Sequence, residues 1–310
     1  MSSAASIGGG SRARGAARAV LLVAAVLAGC GEQPWNDPYP AVDAGANIVY
    51  SSFEERPKHL DPARSYSANE AVFTGQIYEP PLQYHYLKRP YTLIPLTARE
   101  VPTPQYLDRD GRPLPDDAPD AEVAVSVYEI HIRPGIHYQP HPAFARDADG
   151  NPVYRDLSPG DLAQVHALGD FARTGTRELV AADYVYQIKR LAHPRVHSPI
   201  LGLMGEYIVG LRDYAAELAR AYAEQSAAAG GGPVYLDLER YPLAGAETVD
   251  RYTYRIKVNG KYPQLLYWLA MPFFAPVPPE VDRFHSAPGM EEKNLTLDWY
   301  PVGTGPYMLT

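Results

Sequence analysis

The sequence predicts a mixed α/β fold, and three observations carry that prediction. Runs that alternate apolar and polar residues, the mark of half-buried strands, interleave with runs whose apolar residues recur at helical spacing. The stretches between them are long and rich in proline, glycine and aspartate, with 31 prolines and 25 glycines in the chain. Neither an internal repeat nor a heptad pattern is present, so a solenoid, a bundle and a regular sandwich are all poor descriptions.

The elements follow in chain order. Residues 47–53 are β-prone and predict a short buried strand, which Leu60-Asp61-Pro62 breaks into a turn. Residues 68–78 place Ala71, Val72, Gly75 and Tyr78 at helical spacing; Glu79-Pro80-Pro81 ends that helix, because proline lacks the amide that would continue it. Leu82, Tyr84 and Tyr86 alternate with Gln83 and His85, as in a half-buried strand. Residues 102–120 read as an exposed loop. Residues 122–133 alternate cleanly, with Tyr128, Ile130 and Ile132 on one face and Pro134-Gly135 turning the chain. Residues 140–176 are polar and predict a long insertion with one short helix near 162–171. Residues 181–192 predict a helix with Tyr184, Ile188 and Leu191 along one side, stopped by His193-Pro194. A second helix at 211–229 ends at Gly230-Gly231-Gly232-Pro233. Tyr252, Tyr254, Ile256 and Val258 share one strand face, closed by Asn259-Gly260. Residues 264–270 form a short apolar helix, in which Tyr262, Tyr267 and Trp268 read as packing and not as a ligand platform. The final turn, Gly303-Thr304-Gly305-Pro306, leads into an apolar run that should start a strand.

The N-terminal residues carry an address. Arg12, Arg14 and Arg18 precede a short apolar run at 19–28, too short for the roughly 20 residues that a membrane span needs. That pattern fits an export signal over residues 1–29. Leu27-Ala28-Gly29-Cys30 looks like a lipobox, with Cys30 as the lipidated residue; a plain secretory signal with a stray cysteine is the alternative. Cys30 is the only cysteine, so no intramolecular disulfide can form. Residues 30–46 read as a flexible tether. The formal net charge of −8, with no basic cluster after the signal, argues against a nucleic-acid partner. The 24 tyrosines suit either ligand contact or β-rich packing.

Candidate chemistry is sparse. His137/His141 and His193/His197 have the spacing of a helical metal pair, but both lie beside helix-breaking prolines, so neither metal nor cofactor is expected. The adjacent carboxylates Glu54-Glu55, Asp116-Asp117 and Glu291-Glu292 read as solvated surface, since neighbours in sequence rarely face each other across a site. Gly303-Thr304-Gly305 lacks the lysine and the helix that a phosphate loop needs. No catalytic residue is expected.

Several segments together resemble the bacterial extracellular solute-binding proteins of family 5, the dipeptide, oligopeptide and nickel type. Leu60-Asp61-Pro62 with Tyr66-Ser67-Ala68 is similar to that family's N-terminal turn. Residues 76–82 are similar to "IYEGL", 128–138 to "YTFKLRKGVKF", 179–191 to "TAEDVVYSLER", 248–256 to "VVDDYTVRI" and 301–307 to "PVGTGPY". Each motif is weak alone, and their collinearity carries the resemblance. Two departures stand out: Val180 occupies the place of the family's Thr or Ser cap, and 102–120 and 140–176 exceed the family norm.

The resemblance implies a two-lobed periplasmic binding protein of which this chain is the N-terminal part, with the second large lobe missing. Residues 47–75 and 250–310 would belong to the first lobe, and 76–249 to a small additional lobe. Tyr66, Ser67 and Ala68 would face the ligand, and Gly303, Gly305 and Pro306 would form the turn at the lobe junction. The implied function is that of an ABC importer's binding component, without covalent chemistry: capture of a peptide or similar solute and delivery to permease subunits. It would work as a monomer on the periplasmic side of the envelope, held to a membrane by a lipid at Cys30. The other classes are an exported lipoprotein hydrolase and an envelope scaffold that kept the fold but lost the cleft.

Overall fold

A computed structural model describes residues 41–43 and 45–309. The signal segment and Cys30 lie outside the described residues. Contacts divide the chain after Ser52. In the first unit, a single 3₁₀ turn, Ala41–Asp43, precedes extended chain in which the Tyr50 hydroxyl donates to Asp43 Oδ2 at 3.2 Å. The strand expected at 47–53 is absent, and those residues are exposed. They enter no strand ladder or isolated bridge among the described residues, and the Ile48 amide turns back to the Ala46 carbonyl at 3.0 Å; β-propensity alone cannot hold a strand.

The second unit, Phe53–Thr310, is organised on a five-stranded antiparallel sheet. Its strands are β3 (Pro104–Leu107), β4 (Pro113–Leu114), β5 (Val125–His131), β6 (Ala246–Asp250) and β7 (Thr253–Asn259), in spatial order β4-β3-β5-β7-β6. A separate two-stranded hairpin pairs β1 (Leu82–Tyr84) with β2 (Leu93–Pro95). The helices are α1 (Ala68–Ile77), α2 (Ala181–Arg190), α3 (Leu201–Tyr207), α4 (Leu211–Ala228), α5 (Leu265–Trp268) and α6 (Pro279–His285). The α/β expectation therefore holds.

Period-2 patterning decides which face of the sheet is buried. Tyr128, Ile130, Tyr254, Ile256 and Val258 are buried on one face, while Glu129, Glu247, Arg255 and Lys257 pair on the other. Helix α2 covers the apolar face, and Tyr184 stacks flat on Tyr254 at 5.1 Å. Its first turn lacks a capping side chain at Val180; the Asp183 carboxylate, one turn in, accepts the Val180 amide at 3.1 Å instead. The sheet draws β5 from the 76–249 stretch and β7 from the 250–310 stretch, paired along their whole lengths.

Residues 102–120 are not a loop: they supply β3 and β4, joined by a tight turn at 108–111. Pro104 and Pro113 each open a strand, where a missing amide costs the sheet little. The 162–171 helix shrinks to a 3₁₀ turn, Leu168–Asp170. Asp170 draws the amides of His166 and Ala167 onto its own carboxylate, at 2.7 and 3.0 Å, in competition with helix bonds. Even so, Leu162, Val165 and Phe171 are buried, and Phe171 packs on Phe284 of α6 at 5.1 Å. Strands β2 and β6 and helices α3 and α6 had no expectation in the sequence. Among the described residues no helix is long and apolar enough to cross a membrane.

Candidate functional site

The turn at 60–67 is held by two buried carboxylates. Asp61 accepts the Ala63 amide at 2.9 Å and takes a bidentate contact from Arg190 of α2, at 3.0 and 2.7 Å. Burial would raise its pKa, but the Arg190 guanidinium reverses that and holds it below the ordinary value. Arg190 also bonds Asp282 of α6 at 3.0 Å, so one buried guanidinium ties the turn to two helices. Glu70 does the second job. Its Oε1 accepts the amides of Lys58 and His59 at 3.1 and 3.0 Å, and its Oε2 those of Tyr66 and Ser67 at 3.0 and 3.2 Å. Burial opposes the charge, yet the amides of Ser67 and Tyr66 pull the carboxyl down to about 2. The pattern Ser67-x-x-Glu70 is a capping-box signature, so this residue was open to discovery in the sequence.

This scaffold presents Tyr66, Ser67 and Ala68 to solvent at the start of α1, with Tyr66 69% exposed. The amides of Tyr66 and Ser67 are spent on Glu70, the Ser65 amide donates to the Asp61 carbonyl, and the Ser67 carbonyl accepts from Ala71. The Tyr66 carbonyl accepts no bond and the Ala68 amide donates none among the described residues. The exposed backbone thus offers one acceptor and one donor, which suits a ligand with peptide groups of its own.

One aromatic ring, Phe273, lies against it. Tyr66 lies 6.0 Å from Phe273, which lies 6.4 Å from Trp268. Next in sequence, Tyr267 stacks on Tyr84 of β1 at 6.2 Å, and Tyr84 meets Tyr91 edge-on at 5.8 Å. The packing expected of Tyr262, Tyr267 and Trp268 holds for Tyr262, which is buried against Tyr207 at 3.6 Å and accepts the Trp268 indole N–H at 3.0 Å. It fails for Tyr267, whose ring is half exposed.

Gly303, Gly305 and Pro306 sit in a bend clasped on both sides. The Gly305 amide donates to Ile77 O at 2.9 Å, at the end of α1, and the Thr304 hydroxyl donates to Glu79 Oε2 at 2.8 Å. On the other side the Gln139 amide donates to the Gly303 carbonyl at 2.9 Å, the Gln139 side chain accepts the Gly303 amide at 3.2 Å, and it donates to Gly305 O at 2.9 Å. A Cβ at Gly303 would overlap Ile77 O, and one at Gly305 would lie 2.7 Å from that oxygen, so both positions need glycine for close approach. Residues 307–309 form no strand. Gln139 has no sequence signal, because its role depends on a contact 164 residues away.

Neither histidine pair lies on a helix. His137 is exposed; His141 is buried 5.2 Å from His285, with its Nδ1 accepting the Ala143 amide at 3.1 Å. Among the described residues no group of three or more His, Cys, Asp or Glu side chains is placed to hold a metal. Glu54, Glu55, Asp116, Asp117, Glu291 and Glu292 are all exposed.

Solved structures similar to this chain include Listeria monocytogenes OppA bound to peptide, at 17% identity and a TM-score of 0.44, covering 82% of this chain and 34% of that one. Helicobacter pylori DppA in complex with the peptide STSA matches at 18% identity and a TM-score of 0.45, covering 81% and 34%. An oligopeptide ABC transporter substrate-binding domain from Bacillus anthracis matches at 16% identity and a TM-score of 0.47, covering 84% and 34%. The chain spans about a third of the length of these proteins. No curated protein matches it. The family model described as bacterial extracellular solute-binding proteins, family 5 Middle, matches residues 174–310, the stretch that supplies α2, β6, β7 and the 303–306 bend. Residues 174–310 are thus similar to the bacterial extracellular solute-binding proteins of family 5.

Proposed function

We propose that this chain is part of the substrate-binding component of an ABC importer and that it captures a peptide or a similar amine-bearing solute outside the cytoplasmic membrane for delivery to a permease. The family match over residues 174–310 carries this reading. The exposed Tyr66-Ser67-Ala68 segment supports it, because the Tyr66 carbonyl and the Ala68 amide are open to a peptide's backbone groups and the Tyr66 ring, backed by Phe273, supplies flat contact.

On this reading the protein works without covalent chemistry and as a monomer. The 303–306 bend is the junction at which the first lobe, 47–75 and 250–310, meets the rest of the binding protein, and the 76–249 lobe shares its sheet through β5 and β7. Closure around the ligand is a hinge motion. Cys30 carries a lipid that holds the protein at the periplasmic side of a membrane; incorporation of labelled fatty acid, lost in Cys30→Ser, tests that part.

The ligand is tested by native mass spectrometry of the full-length protein purified from the cells that make it. A bound mass that fragments as a peptide supports the reading. A bound mass that fragments as a sugar or a nucleotide overturns it.

A further inference from the structure

The hairpin between β1 and β2 carries an exposed cluster that the ligand reading does not use. Its tip projects Tyr86, Leu87 and Tyr91, which are 87%, 76% and 65% exposed. The tip is wired from within. The His85 ring accepts the amides of Leu87 and Lys88, each at 3.2 Å, the His85 amide donates to Thr92 O at 2.7 Å, and Arg89 donates to Lys88 O at 2.9 Å. The apolar side chains are therefore held outward by a formed turn and not by a frayed one.

The charge of this tip opposes that of the chain. No aspartate or glutamate lies between Glu79 and Glu100, whereas the chain carries a net −8. Lys88 and Arg89 make no ion pair among the described residues, in contrast to Arg64, Arg177, Arg190, Arg195, Arg251 and Arg283. The Arg89 guanidinium lies on the Tyr91 ring at 4.6 Å, which keeps the cation beside an amphipathic ring.

We propose that this hairpin tip is a contact site for an anionic lipid surface, with Leu87 and Tyr86 entering the headgroup region and Lys88 and Arg89 meeting its phosphates. Tyrosine and leucine beside uncompensated cations form a side-chain set suited to the water–lipid boundary, where one end of each side chain stays wet. The site is small and projecting. A stable protein partner uses about 20–30 residues a side, far more than this tip presents. Two cations near an anionic surface suffice for a weak, salt-sensitive second attachment. The contact does not depend on a bound peptide.

The test uses the full chain with Cys30→Ser and Leu87→Cys, labelled at the new thiol with an environment-sensitive fluorophore. A probe there reports the hairpin itself, whatever the N-terminal residues do. Vesicles of phosphatidylcholine with about 30% phosphatidylglycerol should brighten and blue-shift the probe, and about 0.5 M salt should reverse the change. Lys88→Glu with Arg89→Glu should raise the lipid concentration needed by at least about tenfold. The same probe at Val153→Cys should stay unchanged. No response at position 87, an equal response at 153, or an equal response to pure phosphatidylcholine overturns the proposal. A response to a polyglutamate peptide and not to vesicles overturns it in favour of an acidic protein partner.

Discussion

Glu70 shows how one side chain can set a surface. Four backbone amides converge on its carboxylate, and two of them belong to Tyr66 and Ser67. Glu70→Gln replaces one acceptor oxygen with a donor and leaves buried amides unmatched, so chemical denaturation should show a loss of about 1–3 kcal/mol. An unchanged midpoint would remove Glu70 from this role. The buried imidazoles set the pH response. Burial lowers the pKa of His141, and lowers those of His193 and His285 to about 4, all from an ordinary value of 6.5. Unfolded chains take up these protons as pH falls below about 6.5, whereas the folded protein resists until about 4, so stability falls with pH across that window. Urea midpoints at neutral and mildly acid pH test this, and His285→Phe should flatten the slope. A midpoint independent of pH between those limits would contradict the assignment of neutral, buried rings.

Elements legible in the sequence were those whose own pattern carries the signal. α4, β5 and β7 lie where periodicity puts them, because each buries one face and its apolar spacing records that face; α2 also lies where expected but is buried on nearly every side, and α1 forms in the expected place with its expected face reversed, Ala71, Val72 and Gly75 being exposed and Glu70, Thr74 and Ile77 buried. β3 and β4 were missed because their prolines read as loop, although proline is tolerated where a strand opens. The strand expected at 47–53 failed for the opposite reason: its composition suits a strand, but a strand needs a neighbour. Docking between elements was the least legible level, since it rests on pairs remote in sequence. Arg190 is the sharpest case. It joins the 60–64 turn to α6 through Asp61, which is buried with it, and Asp282, which is partly buried. Arg190→Met would strand one buried and one partly buried negative charge, and equilibrium unfolding should show a loss of about 3–5 kcal/mol. A loss below about 1 kcal/mol would mean that these helices dock by apolar packing alone.

At the scale of the whole molecule, the family segments were legible through their collinear order: most are turns or strands, and 179–191 supplies α2. Leu60-Asp61-Pro62 and Gly303-Thr304-Gly305 both prove to be places where backbone is clamped by remote groups, Arg190 in one case and Ile77 and Gln139 in the other. Gly303→Ala should therefore push the bend away from α1, at a cost of about 1–3 kcal/mol in thermal or chemical unfolding; a neutral substitution would show that the approach to Ile77 O is not required. The orientation of Tyr66-Ser67-Ala68 was less legible: the resemblance placed these residues at a ligand, but only the structure shows that the Tyr66 and Ser67 amides are occupied and that the Tyr66 carbonyl and the Ala68 amide are open. The claim that this surface takes an amine-bearing peptide is tested most directly by calorimetry of the full-length protein and its Tyr66→Ala variant against dipeptides and oligopeptides. At least one peptide should bind at micromolar strength or better and be weakened about tenfold by Tyr66→Ala, in line with the loss of one aromatic contact. Silence across every peptide, or tight binding indifferent to Tyr66, would contradict it.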